Sequence, residues 1–343
     1  MLAVETHRPE EPAYAGLGTF QKVPLALDPR ELAGADAVIV GAPMDDMVTN
    51  RPGTRYGPRA IRNAYDGGGT PQGWHMDLGV DPFAELTILD HGDAAVVPGD
   101  AYASHRAIRS AVRDILSAGA VPIVLGGDHS IAFPDISAVA EAYDRGTLAV
   151  VQFDTHADTA TEIWGVKWSH GTPFRHLVDD GVIPGRRLIQ VGLRGYWPFR
   201  AEWDWARSAG VRWHRMEEIH ERGISAVMDQ VLDEVADADA LFLSIDIDVL
   251  DPAYAPGTGT PEPGGLTTRE LLRAVRKLCL EMSVAGAEVV EVSPPYDHAE
   301  ITAMAAHRTI LEILSAMALH DSDRDAAPEN PSSPEGVERL HQR

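Results

Sequence analysis

Short apolar runs that stop abruptly at glycine, aspartate or histidine constrain this chain more than any other feature. They fall at residues 35–40, 85–89, 121–125, 148–153, 188–192, 240–247 and 286–292. Each is of strand length, and apolar on alternate as well as successive positions, as a strand buried on both faces requires. Between them lie segments with helical spacing, at 58–62, 101–118, 131–143, 199–208, 224–236, 268–282 and 298–320. Gly119 stops the second of these, and Pro58 opens the first. Strand and helix in alternation predict an α/β fold, a central mostly parallel sheet with helices on both faces. We expect a single domain over 31–320, a Pro-rich N-terminal arm over 1–30 and a disordered tail over 321–343.

The polar residues that close these runs are unusual in kind. Asp154-Thr155-His156-Ala157-Asp158 follows one run, Gly127-Asp128-His129 another, and Asp246-Ile247-Asp248 a third. Alternate residues of an extended segment share a face, so Asp154, His156 and Asp158 can converge. Ligands of open parallel sheets bind beyond the carboxyl ends of the strands, where all three segments fall. Together His129, Asp154, His156, Asp158, Asp246 and Asp248 supply two imidazoles and four carboxylates. One catalytic metal takes about three protein ligands, so the set suits two metals about 3.5–4 Å apart with shared carboxylates. Taken singly, a histidine after a strand or an Asp-x-Asp turn is as readily structural, serving as a cap or a turn. Four carboxylates gathered at one place without cations would be very costly to bury.

Composition narrows the partners. With a net charge of −23 over 343 residues, the chain has no basic surplus to neutralise phosphates, which excludes a nucleic-acid partner. The acidity favours approach of a cationic small molecule, and equally serves solubility. No apolar run approaches the ~20 residues of a membrane helix, so no membrane association is expected. One cysteine, Cys279, sits within a helical pattern as a buried thiol. With no secretory pattern at the N-terminus, it points to a reducing cytoplasmic location.

Four blocks also carry a resemblance. Gly127-Asp128-His129-Ser130, Asp154-x-His156-x-Asp158, Ser244-Ile245-Asp246-Ile247-Asp248-Val249-Leu250-Asp251-Pro252 and Glu291-Val292-Ser293-Pro294 resemble the signature blocks of the ureohydrolases, the family of arginases and agmatinases. Arg51-Pro52-Gly53-x-Arg55-x-Gly57-Pro58, His170-Gly171-Thr172-Pro173-Phe174 and Ala255-Pro256-Gly257-Thr258-Gly259 are similar to the agmatinase-like branch. The resemblance implies the three-layer α/β/α arginase-type fold, assembled as a homo-trimer or homo-hexamer. It implies two Mn(II) per chain, with Ni(II) or Co(II) as alternatives. His129 and Asp158 would then hold one metal, His156 and Asp248 the other, and Asp154 and Asp246 would bridge. Glu291 matches the residue that grips a guanidinium, and His170 the histidine that shuttles protons. Asp158 is expected to relay a proton to the leaving amine, with urea and a primary amine as products.

The substrate is less defined. Arginases place an asparagine two residues beyond the last aspartate of the Asp-x-His-x-Asp block, where this chain has Ala160. Arginine is therefore disfavoured. In the following loop, Trp164 and Trp168 are candidates to line a slot for a methylene chain. Glu162, Asp45 or Asp46 could attract the amine of agmatine, and Lys167, Arg175 or Arg194 the carboxylate of guanidinobutyrate. Agmatine is the leading expectation, guanidinobutyrate or another guanidine compound the alternative. A single-zinc deacetylase of related fold and a non-catalytic metal-binding protein are the readings of other classes.

Overall fold

The computed structural model describes residues 4, 12, 14–64, 73–144 and 146–325. Eight strands form one sheet: β1 (Ala37–Ala42), β2 (Ile88–Asp93), β3 (Val121–Gly126), β4 (Leu148–Phe153), β5 (Leu188–Leu193), β6 (Arg212–Arg215), β7 (Ala240–Asp246) and β8 (Val284–Val290). Their order is β2-β1-β3-β8-β7-β4-β5-β6, and every pairing between neighbours is parallel. β3, β8, β7 and β4 are therefore four consecutive central strands, and each ends at one of the polar segments singled out above.

Alternation of side chains along the strands divides the core in two. Ala37, Ile39, Val151, Leu241 and Leu243 pack on one face with Val227, Val231, Leu271, Val275, Ile310 and Leu314 from the helices Ile224–Val235, Thr268–Glu281 and Ile301–Asp325. Val38, Val40, Val124, Val150 and Phe242 pack on the other face with residues such as Ile108, Val112, Ile136 and Phe174 from Ala101–Ser117, Ala132–Ala140 and Pro173–Asp179. The result is the expected α/β/α sandwich with a wholly parallel sheet.

Some boundaries differ from the sequence reading. β6 is an eighth strand that the apolar pattern does not reveal, because Arg-Trp-His-Arg at the sheet edge buries only His214 fully. Glu85 belongs to a one-turn helix, Pro82–Glu85, capped by the Asp81 side chain, and β2 starts at Ile88. The helices Pro173–Asp179 and Met216–Arg222 are additional. The last helix starts at Ile301 because Ala299 and Glu300 adopt positive φ.

The segment read as an arm is partly core. Phe20 is fully buried, stacks on His307 with ring centroids 4.3 Å apart, and its N–H donates to Asp90 Oδ2 at 2.9 Å. Burial on this scale is worth about 1.5–3 kcal/mol for a large apolar side chain. Arg62, buried beside it, joins Asp90 and Asp93. Of the expected tail, the backbone of 321–325 continues the last helix; 326–343 lie outside the described residues. Cys279 is buried as expected, and burial pushes its thiol well above the usual range. No helix of the described residues is long and apolar enough to cross a membrane.

Candidate metal centre and active site

The turn after β3 brings His129 into place. A Cβ at Gly127 would collide with the Met44 carbonyl, so only glycine lets the two backbones approach here. Asp128 then accepts from Ser130 N at 3.0 Å and Met47 N at 3.1 Å, tying the turn to the loop after β1. The His129 N–H donates to Glu291 Oε1 at 2.9 Å, and its ring lies edge-on to Phe174.

Three strand ends meet at the His129 imidazole. Its Nδ1 lies 3.1 Å from Asp154 Oδ2, 3.0 Å from Asp158 Oδ2 and 3.2 Å from Asp246 Oδ2. A second group adjoins it: His156 Nδ1 lies 3.1 Å from Asp248 Oδ2 and 3.6 Å from Asp154 Oδ1. His129, Asp154, Asp158 and Asp246 could thus hold one metal ion, and Asp154, His156 and Asp248 another. Asp154 takes part in both groups, one oxygen in each. Asp246, expected to bridge as well, joins only the first; its Oδ1 accepts the Asp248 N–H at 2.9 Å.

The donor chemistry fits a cation. His129 Nε2 is 2.8 Å from Ser244 Oγ, while Nδ1 is buried without a hydrogen-bond partner. If Nε2 donates to the serine, the Nδ1 lone pair faces three carboxylate oxygens, an arrangement that is repulsive until a positive charge lies between them. Without a metal the balance falls on protons. Burial would lower His129, but Asp154, Asp158 and Asp246 hold it well above the usual imidazole range. Burial, with Asp248 and Asp154 nearby, drives Asp246 well above the carboxylate range. Burial and Asp154 likewise lift Asp158 to about 6. Burial pushes Asp154 up too, yet His129 and His156 outweigh it and hold that carboxyl below its usual range. Such mutual perturbation is what metal cations relieve.

Asp158 and Glu291 have φ of 50° and 63°, in the left-handed region that few non-glycine residues adopt. Strain of this kind is typical of sites where the backbone aims a side chain at a particular point. Glu291 Oε1 accepts from His129 N and lies 2.9 Å from His170 Nδ1. Its Oε2 is buried without a partner, and faces Gly259, where a Cβ would approach it to 3.4 Å. On its far side, His170 Nε2 lies 2.8 Å from Thr49 Oγ1 and 3.1 Å from the Thr49 amide nitrogen. When the ring is neutral, the Thr49 N–H requires a lone pair on Nε2, which assigns the proton to Nδ1 and directs it at Glu291. Burial opposes protonation of His170, whereas Glu291 draws its pKa up to about 8.

A cavity of about 540 Å³ opens beside these groups, and Glu291 is not among the residues that line it. His156, Asp158, His170 and Asp246 lie on its wall, along with Thr49, Thr260, Ala160, Glu162, Trp164, Trp197, Phe199 and Glu202. Trp164, 82% exposed, stands on a tight turn between Ile163 and Val166. Trp168 is not on this wall: its ring packs on Phe133, His105 and His176, so its expected place in a substrate slot is corrected to loop packing. The cations considered for a substrate carboxylate are engaged elsewhere. Lys167 lies over the Trp168 ring near Asp180, and Arg175 meets Asp179 and Trp205. Arg194 donates to carbonyls including those of Asp248, Val249 and Glu262. Asp45 and Asp46 bind Arg55 and leave Glu162 as the one member of the expected acidic trio on the cavity wall.

Comparison with known proteins agrees with this geometry. A family model described as the arginase family matches residues 35–316. The chain belongs to the arginase family. It is 40% identical over 315 residues to proclavaminate amidinohydrolase of Streptomyces clavuligerus, covering 92% of this chain and 96% of that one. The solved structure of that enzyme superposes with a TM-score of 0.81 at 38% identity, covering 90% and 99%. The mitochondrial guanidino acid hydrolase of Homo sapiens is 36% identical, with 91% and 87% covered. The mitochondrial agmatinase of Gallus gallus is 38% identical, with 83% and 82% covered. The resemblance to ureohydrolases of the agmatinase-like branch is thereby borne out.

This arginase-family chain also places residues at the site that sequence reading passed over. Gln152 Nε2 donates to Asp154 Oδ2 at 2.7 Å, and Gln190 Nε2 to Gln152 Oε1 at 2.6 Å. Thr260 Oγ1 reaches Asp248 Oδ2 at 3.4 Å. The signal for the glutamines was present: each interrupts an otherwise apolar buried strand, where an unpaired amide would be costly.

Proposed function

We propose that the protein is a two-metal hydrolase that cleaves a guanidino compound to urea and an amine, with agmatine, which gives putrescine, as its substrate. The buried, partnerless Glu291 Oε2 beside the carboxylate–imidazole groups is the observation that supports this most. A guanidinium is the natural occupant there, a planar cation with N–H donors to offer a carboxylate. The relatives described above, named as hydrolases of guanidino compounds, support the same reaction class.

His129, Asp158 and Asp246 would hold one metal, His156 and Asp248 the other, with Asp154 shared; Mn(II) is the proposed ion, with Ni(II) or Co(II) as alternatives. When bound, such a pair supplies a water of lowered pKa. Glu291 orients the guanidinium through Oε2 while its other oxygen holds His129 and His170. Asp158, on the cavity wall, is placed to take a proton and deliver it to the departing amine. His170, between Glu291 and Thr49, would exchange protons with solvent at the mouth.

The tail of the substrate would lie along Trp164 towards Glu162 and Glu202. With no lysine or arginine among the described lining residues, a terminal amine suits this cavity better than a carboxylate. Guanidinobutyrate or a similar guanidino acid is the second reading, favoured by the name of the human relative. Urea release from agmatine, guanidinobutyrate, guanidinopropionate, arginine and guanidine, compared as kcat/KM, tests the choice. A guanidino acid preferred tenfold over agmatine would overturn the tail assignment. We further propose that 31–320 act as one domain, in a cytoplasmic homo-trimer or homo-hexamer.

A further inference from the structure

Beneath the metal ligands, four neighbouring strands carry a row of polar side chains. Gln190 of β5 pairs in register with Gln152 of β4, Gln152 with Ser244 of β7, and Ser244 with Glu288 of β8. Register partners share a face of the sheet, and Gln152 and Ser244 lie two residues before Asp154 and Asp246 on the same face. One half of the row is already explained, since Gln190 holds Gln152 and Gln152 holds Asp154. The other half ends on Glu288.

Glu288 is fully buried in the middle of a central strand, and neither of its oxygens has a geometrically formed hydrogen bond. Its polar neighbours are Ser244 and Asp135, and Asp135 is also fully buried with an unpartnered Oδ2. A carboxyl placed at such cost calls for a partner that uses it. That partner is at hand: His129 Nε2 lies 2.8 Å from Ser244 Oγ and 3.8 Å from Glu288 Oε1.

We propose that Ser244 and Glu288 are positioning residues that orient His129 for its metal. Glu288 accepts the Ser244 O–H, which leaves the serine oxygen to accept the His129 Nε2–H. Nδ1 then keeps its lone pair and points into the Asp154, Asp158 and Asp246 oxygens. Asp135, whose Oδ1 accepts the Ile136 N–H at 2.6 Å, adjoins Glu288 as its other polar neighbour. Histidines that bind metals commonly depend on such an outer acceptor, and losing it weakens the metal about 10–100-fold. The proposal rests on the two-metal reading of the site.

Calorimetric titration of Mn(II) into the chelator-treated full-length protein tests it. The wild type is expected to take up two ions per chain. Glu288→Leu, which leaves no acceptor for the serine, and Ser244→Ala should each weaken one of the two sites about 10–100-fold and leave the other unchanged. The double variant should be no weaker than either single one, since both break the same chain of hydrogen bonds. Thermal unfolding of the metal-free forms separates this from a general structural role. Wild-type affinity at both sites in both variants would overturn the proposal, as would equal weakening of both sites together with a lower melting temperature. Should Glu288→Leu fail to fold, Ser244→Ala, which removes only one oxygen, decides by the same criteria. A wild type that binds no Mn(II), Ni(II) or Co(II) would overturn the two-metal reading itself, and this one with it.

Discussion

Replacing Glu291 by glutamine separates substrate recognition from metal binding. The amide oxygen can still accept from His129 N and from His170 Nδ1, the contacts now made at 2.9 Å by Oε1. The amide NH₂ then takes the position of the partnerless Oε2 and presents donors to a guanidinium that has only donors itself. A charge-assisted hydrogen bond contributes about 1.5–3 kcal/mol, and leaving a buried charge without its partner costs about 3–5 kcal/mol. Taking about 3–5 kcal/mol as the loss, kcat/KM for agmatine should fall roughly 10²–10⁴-fold, at about 1.4 kcal/mol per factor of ten. Glu291 belongs to neither metal-holding group, so metal content should stay at the wild-type value. Urea release measured beside elemental analysis of the same samples checks both halves. A variant within tenfold of wild type with its metal retained would refute the role given to Oε2. Loss of metal along with activity would refute the separation of the two functions.

Three further outcomes follow from particular contacts. Trp164→Ala, at an 82% exposed side chain on the cavity wall, should leave stability within about 0.5 kcal/mol but raise KM, whereas Trp168→Ala should cost about 2 kcal/mol in urea unfolding with KM little changed. Gln152→Leu removes the donor to Asp154 Oδ2 and should weaken metal binding about tenfold or more in a chelator competition assay. His105 is held at about 4 by burial, below the usual 6.5, so the unfolded chain takes up a proton at pH values where the folded one does not. Its contribution is therefore intact above about pH 6.5 and is lost as pH falls towards 4, at up to about 1.4 kcal/mol per unit. His105→Gln should flatten the fall in metal-free melting temperature over that window relative to wild type, and an unchanged slope would contradict the assignment.

The parallel sheet was legible because buried strands advertise themselves as apolar runs, and seven of eight did so. β6 did not, since an edge strand with one buried face needs few apolar residues, and Arg-Trp-His-Arg offers only Trp213. The six candidate ligands were legible for a different reason. Aspartate and histidine at strand ends share a site through the geometry of the sheet, so spacing alone groups them. What spacing could not show is which contacts are made across the sheet. The hydrogen bond from His170 to Glu291 spans 121 positions, and the row from Gln190 to Glu288 depends on strand order. Trp168 was misread because a tryptophan in a loop next to a site fits a slot and a packing cluster equally well, and only coordinates separate the two. The N-terminal segment was misread because Pro-rich composition describes its backbone, while a few scattered apolar residues, Phe20, Val23 and Ala26, dock it on the core.

The most direct test of the account is to restore Mn(II) stepwise to chelator-treated protein and follow urea formation from agmatine. Negligible urea is expected from the metal-free protein, with activity rising to its maximum at the second equivalent per chain. Full activity in the metal-free protein, a maximum reached at one equivalent, or no urea at any loading from any guanidino compound tried would contradict it.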